Sequence, residues 1–413
     1  MTEAKRQQRG ALRHAQVPWA AAVEDPRDAQ GRRHEHRGML NLLVANFARG
    51  KTTLEQAANL ARDVGGRIRK ALRLPPSIAG STLWRLLAQQ HPAGLRETLQ
   101  SQARQLVADT AAPRVLPVGV LTFDGKSLLT THEETVAGLD SVASDTAATP
   151  LWRLGAMRAV LTHLLSAPCI DLEFLGAKEG ESPAFRNMFP RVVEAMGDTF
   201  DIITADAGLT AAENATLVRF HQKHYLFGLK GNQPTLHQYA IDSIAQKQCP
   251  PRARTSELAH GHTVERELWL HPVAPGDTDF PGARLILLVR QRHFRGGELA
   301  KEEFRYFVTS VDTTFLDAQG LLLLVRTHWA IENRHNWTLD LVLHEDDTQP
   351  CKPTRQALEV VAWLRAIALN ILSTWRILRS SRLRRLIPWD RACEIFRDAL
   401  VITGAPGASP ALA

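Results

Sequence analysis

Residues Val115-Leu-Pro-Val-Gly-Val-Leu-Thr-Phe123 are almost continuously apolar and run straight into Asp124-Gly125-Lys126. A strand with one wet face alternates apolar and polar residues. A run without alternation reads as a strand buried on both faces, which needs cover above and below. The chain around it supplies that cover. Further strands are expected at Ala156–Leu161, Ile170–Leu175, Phe200–Ala205 and Tyr225–Leu229, with helices at Ser182–Met196 and Ala211–Gln222. Strands in series, then alternating with helices, indicate an α/β layer built on a mixed sheet.

The flanking regions change character. Residues from about 237 to 310 read as a β-rich insertion inside the α/β domain, with strands at Thr263–Leu270, Arg284–Arg290 and Glu303–Ser310. Pro250-Pro251, Pro275-Gly276, Pro281-Gly282 and Gly296-Gly297 punctuate them. One long helix is expected from about Asp317 to Asp340. On these boundaries a catalytic domain occupies 113–350, followed by a helical region over 351–403 and a loose tail over 404–413. Ahead of it, 1–36 reads as a flexible basic arm and 37–112 as a helical domain. There Thr53 suits the N-cap of a helix Leu54–Arg62. Pro75-Pro76-Ser77 breaks the chain before another helix at Ser81 or Thr82. Short helices around a tight break fit either a helix-turn-helix-like DNA reader or a plain scaffold.

The 50 Lys and Arg against 43 Asp and Glu leave a net charge of +7. That balance favours a polyanionic partner, because neutralised phosphates release counterions. Cys169, Cys249, Cys351 and Cys393 are scattered without a CxxC pair, which supports neither a zinc knuckle nor a disulfide framework and fits a reduced, cytoplasmic setting. The N-terminus opens no signal peptide. The apolar stretch Leu358–Trp375 holds Glu359 and Arg365 and reads as a buried helix rather than a membrane span.

Three acids stand apart by position. Asp124 and Asp206 each close an apolar strand, and open α/β sheets place their sites at such carboxyl ends. Glu332 lies on the long helix between Trp329, Ile331 and Trp337. Carboxylates suit Mg²⁺, which takes oxygen ligands, and a pair of such ions can drive phosphodiester displacement. Asp after a strand is also an ordinary turn former, and a helical Glu an ordinary salt-bridge partner.

The local motifs are more specific. Phe123-Asp-Gly-Lys-Ser-Leu128, Ile203-Thr-Ala-Asp-Ala-Gly208 and Tyr225-Leu-Phe-Gly-Leu-Lys-Gly-Asn-Gln233 occur in that order. Arg326-Thr-His-Trp-Ala-Ile-Glu-Asn-Arg-His-Asn-Trp-Thr-Leu-Asp340 and His344-Glu-Asp-Asp347 follow. From about Arg32 to about Leu378 the chain resembles the H-repeat-associated (ISAs-one type) insertion-sequence transposases, a branch of the DDE transposases. The resemblance implies an RNase H-like core with a β-rich insertion before the last acid. It carries the catalytic and metal-binding roles onto Asp124, Asp206 and Glu332, with Mg²⁺ as cofactor (Mn²⁺ able to substitute). It also implies binding of double-stranded terminal inverted repeats and target DNA, action at the nucleoid, and a homodimer or higher synaptic complex. Two rival functions are a nuclease that only hydrolyses and a non-catalytic DNA-binding remnant. One departure is Leu339, followed by Asp340, where many DDE transposases carry a Lys.

Around the acids, Lys126 and Lys230 are candidate phosphate contacts. Asn232 and Gln233 suit either DNA or the turn announced by Gly231 and Pro234. On a helix His328, Glu332 and His335 share a face, so both histidines suit either DNA phosphate contact or hydrogen bonding behind the acids, and neighbouring Arg334 is a further candidate DNA contact. Trp329 and Trp337 suit either base stacking or the core. Glu345-Asp346-Asp347 offers a fourth carboxylate or a solvated loop. Arg376, Arg379 and Arg382, with Arg384 and Arg385, crowd a helix end and suit DNA phosphates.

Overall fold

The computed structural model describes residues 16–109, 112–131, 136, 138–142, 151–176, 179–244, 249–259, 261–346, 354–383 and 386–401. The tail 404–413, Cys351, Asp347, Arg384 and Arg385 lie outside these.

The central sheet grows from five strands in the expected order. They are β1 (Val120–Thr131), β3 (Leu151–Leu161), β4 (Cys169–Phe174), β5 (Ile202–Ala205) and β6 (His224–Leu229). β3 pairs antiparallel with β1, β4 antiparallel with β3, and β5 lies parallel between β1 and β6. The short β2 (Asp140–Val142) also flanks β3. This three-antiparallel, two-parallel arrangement is the RNase H-like core that the motifs implied. The apolar run does not become strand throughout: Pro117 and Gly119 precede β1, which starts at Val120. Nor does β1 end at Asp124. It continues to Thr131 against β3, while its pairing with β5 stops at Phe123 opposite Ala205.

Alternation along β1 decides the layers. Leu121 and Phe123 pack with Phe185, Phe189 and Val192 of helix α6 (Glu181–Met196) and Ala215 and Val218 of α7 (Ala212–Phe220). Val120 faces the other way, with Ile202, Leu226 and Leu321 of helix α9 (Ala318–His328). Helix α8 (Pro234–Ser243), which the sequence reading did not place, begins at Pro234.

The β-rich insertion is present but is no separate body. Strands β7 (Ala253–Ala259), β8 (His262–Pro272), β9 (Leu285–Arg295) and β10 (Glu298–Thr309) form an antiparallel meander. β10 pairs with β6, so core and insertion make one ten-stranded sheet among the described residues.

The two terminal helical regions are likewise one unit. Helices α1 (His36–Ala48), α2 (Leu54–Asp63), α3 (Gly66–Leu72), α4 (Gly80–Gln89) and α5 (Ala93–Ala108) share a core with α11 (Arg355–Leu383) and α12 (Trp389–Val401). Thr53 caps α2 in a capping box with Gln56. Residues 16–35 are not a loose arm: Val23 is buried, and Trp19 Nε1 donates to Asn41 Oδ1 at 2.7 Å. By length and composition α11 could cross a membrane, yet its apolar window is 94% buried, as befits a core helix.

The expected helix Asp317–Asp340 is interrupted. α9 ends at His328, a π-wound segment covers Ile331–Asn336, and α10 (Trp337–Leu343) follows. Such segments often mark functional sites.

Candidate active site

β1 and β5 are parallel neighbours, and such strands lie about 4.8 Å apart. Since Phe123 is the last β1 residue paired with β5, opposite Ala205, Asp124 and Asp206 are the next residues of adjacent strands. Past Ala205 the chain turns. Asp206 Oδ1 accepts from Gly208 N at 2.8 Å, capping the single turn Ala207–Leu209. Asn232 Nδ2 donates to Ala207 O at 2.6 Å and Gln233 Nε2 to Thr210 O at 2.9 Å. These two amides brace that turn, the structural one of the two roles open to Asn232 and Gln233 in the sequence.

The π-wound segment brings in the third acid. Asn336 Nδ2 donates to Asp124 Oδ2 at 2.7 Å, which fastens to β1 the segment that carries Glu332. The electrostatics show the same gathering. Burial, then the charges of Glu332, Asp206 and Glu181, push the Asp124 carboxyl up to about 7, against the pull of Arg158. Burial, then Asp206, also raises Glu332, opposed by Arg305 and Lys230.

Glu181 is a fourth carboxylate that the sequence reading missed. It opens α6 after Gly180, and burial and Asp206 raise its pKa. A Cβ at Gly125 would fall on its carboxylate, and one at Gly208 would lie 3.5 Å from it. Glu181 therefore sits between the residues that follow Asp124 and Asp206, in space that two glycines leave open. A lone Glu at a helix start has no sequence signature; only Gly125, next to Asp124, and Gly208, two residues past Asp206, mark the space it fills.

Beside Asp206 lies a cavity of about 660 Å³ lined by Lys230, His237, Arg305, Tyr306 and Trp329 among others. Lys230 is exposed there, as a phosphate contact requires. The Arg305 guanidinium lies 4.2 Å over the Trp329 ring. Trp337 is 49% exposed, so neither tryptophan is a plain core residue.

Several candidate DNA contacts are instead internal. Lys126 pairs with Asp340 and, at 3.3 Å, with Glu345. His328 is buried with Nδ1 3.3 Å from Thr204 Oγ1, and His335 is buried too. Burial drives these imidazoles down to about 4 and about 3, so both are neutral at physiological pH. They do not share an open face with the exposed Glu332. Arg334 is half-buried, and loss of water around it, then Arg326, lowers its pKa. Arg376 is buried, donating to Ile387 O at 2.6 Å and lying 4.1 Å over the Trp389 ring. Arg379 is half-buried, and the Arg382 side chain is outside the described residues. Glu345 is no solvated or metal-facing acid either. Although burial raises it, Arg158 and Lys126 hold its carboxyl at about 2.

A family model described as Transposase DDE domain matches residues 119–371. The chain belongs to the DDE transposase family. The matched residues run from just before β1 through most of α11. Similar proteins from Escherichia coli K12 are "Putative protein YbfL", 30% identical, and "H repeat-associated putative transposase YhhI", 29% identical, each over 212 residues. Each alignment covers 48% of this chain and 54% of the relative, so the chain spans about half the length of the curated relatives it matches. "Putative transposase YncI" of E. coli O157:H7 is 24% identical over 193 residues, 44% of this chain and 48% of its own. Among solved structures, a piggyBac transposase synaptic complex with hairpin DNA aligns over 99% of this chain and 80% of its own at 10% identity, TM-score 0.45. The DDE transposase family generally uses divalent metal ions.

Proposed function

We propose that this DDE transposase cuts and rejoins the ends of an insertion sequence, with Asp124, Asp206 and Glu332 as its catalytic carboxylates. The supporting observation is the pairing of β1 with β5, which sets the two aspartates side by side, while Asn336 fastens the Glu332 segment to Asp124.

The residues fit a divalent cation by their chemistry. The donors are carboxylate oxygens, as hard cations require, and Gly125 leaves the space that a Cβ would fill. Among the described residues no three His, Cys, Asp or Glu side chains converge tightly enough to cage one ion by themselves. Like charges repel until a cation offsets them, and Mg²⁺ keeps several waters rather than asking for an all-protein cage. Asp124, Asp206 and Glu332 would hold Mg²⁺, with Mn²⁺ able to substitute, and Glu181 faces the same space. Bound there, a metal pair supplies activation of the attacking oxygen and relief of charge on the leaving one.

The chain's own groups do the rest. Burial and the neighbouring carboxylates hold Asp124 at about 7, and it would serve as a ligand in its ionised form, which a nearby positive charge favours. Lys230 and Arg305, on the cavity beside Asp206 and close enough to Glu332 to act on its carboxyl, hold the phosphate backbone of the DNA end. Terminal inverted repeats and target duplex are the partners, held by a homodimer or larger assembly. The test is strand transfer with DNA carrying the element's own ends and Mg²⁺. Joined products support transposition, whereas nicked ends that never join would support the hydrolysis-only nuclease and sink the proposal.

A further inference from the structure

Asn336 touches the Asp124 carboxylate directly and belongs to none of the acids. It is the last residue of the π-wound segment and 8% exposed. The oxygen and nitrogen of an amide look nearly alike, so the neighbours must say which is which. Here they do. Arg158 Nη1 donates to Asn336 Oδ1 at 3.3 Å, and a guanidinium has no acceptor to offer. Arg158 therefore requires the amide oxygen on its own side and leaves the NH₂ for Asp124 Oδ2, at 2.7 Å. Arg158 is itself fully buried and anchored, with Nη2 donating to Glu345 Oε1 at 2.6 Å. Orientation thus passes from Glu345 through Arg158 and Asn336 to Asp124.

We propose that Asn336 is a positioning residue for the metal site, holding Oδ2 of Asp124 so that Oδ1 is presented to the cation, with Arg158 fixing the amide that does so. The inference rests on the reading of Asp124 as a metal ligand. The terminal torsion of an aspartate is broad and roughly two-fold, so an unheld carboxylate samples orientations that miss the cation. Ligating carboxylates are themselves hydrogen-bonded, and loss of such an outer partner typically costs 10–100-fold in metal affinity. Asn336 also lies four residues from Glu332 on one segment, so the same bond sets the distance between two of the three acids.

The test is direct Mn²⁺ titration of the full chain by calorimetry, beside its metal-free melting temperature, for wild type, Asn336→Leu and Asp124→Asn. Leucine matches the shape of asparagine without the donor. Asn336→Leu is expected to melt close to wild type and bind Mn²⁺ about 10–100-fold more weakly, with cleavage recovering at high Mn²⁺. Unchanged Mn²⁺ affinity in a folded Asn336→Leu protein overturns the inference. If that variant does not fold, Arg158→Lys keeps the charge opposite Glu345 and loses the fork. It is then expected to weaken Mn²⁺ binding, and unchanged affinity there overturns the inference equally. Should Asp124→Asn itself bind Mn²⁺ like wild type, the parent reading fails. Loss in Asp124→Asn with none in Asn336→Leu removes only the role of Asn336.

Discussion

Burial and three neighbouring carboxylates raise Asp124 to about 7 from an ordinary 3.8, and two consequences follow at the scale of this residue. A cation needs the ionised form, so metal binding competes with the proton below that pKa. Mn²⁺ affinity measured by calorimetry is expected to fall by up to about tenfold per pH unit below 7 and to level off above it. A pH-independent affinity between 5.5 and 7 would count against Asp124 as a ligand. The second consequence concerns stability. A carboxyl whose folded pKa is raised binds its proton more tightly folded than unfolded, so the metal-free protein loses stability as pH rises from about 4 to about 7. Asp124→Asn removes that charge and keeps an acceptor for Asn336. It is expected to raise the metal-free melting temperature at pH 8 while reducing Mg²⁺-dependent cleavage more than a hundredfold, the upper end of what losing a mere outer partner costs. A melting temperature that drops instead would show that the carboxylate serves the fold.

Among the elements, the strands were legible because burial on two faces leaves an unbroken apolar run and burial on one leaves alternation. Val120, Leu121 and Phe123 announce β1 whichever face each one takes. What failed to show was anything that breaks local periodicity or joins distant residues. The interruption at Ile331–Asn336 is invisible to a 3.6-residue period, which is why His328, Glu332 and His335 were placed on one face. The pairing of Arg158 with Glu345 spans 187 residues, and Lys126, Arg376 and Glu345 look like surface charges in a list. That buried pairing is testable. Arg158→Met leaves Glu345 without its main partner, and removing one member of a buried ion pair costs about 3–5 kcal/mol. Urea unfolding at neutral pH should register it. Glu345 is held near 2, below an ordinary 4.5, so its contribution is present above about 4.5 and is lost as pH falls towards 2. The Arg158→Met deficit should therefore shrink in acid, and one that grows there would contradict the assignment.

Over the whole molecule, the sheet is continuous from β4 to β7 and the terminal helices close on each other. The sequence reading set apart an N-terminal domain and a C-terminal region, and placed a β-rich insertion inside the catalytic domain, because the residue pattern changes at each boundary. It could not see that α11 fills the groove between α1, α4 and α5, nor that β10 pairs with β6. Trp363, 1% exposed on α11, packs in the core shared with Leu40, Leu86 and Leu99. Trp363→Ala is expected to cost about 3–5 kcal/mol and to lower one cooperative transition reported alike by helix and sheet signals. Two separated transitions would mean that the helical regions fold on their own. All of this scaffolding serves the meeting of β1, β5 and the π-wound segment, so the deciding measurement looks there. Crystals grown or soaked with Mn²⁺ should show two anomalous peaks about 3.5–4 Å apart, bounded by Asp124, Asp206 and Glu332. No peak at those carboxylates, with Mn²⁺ bound elsewhere on the chain, would contradict the account.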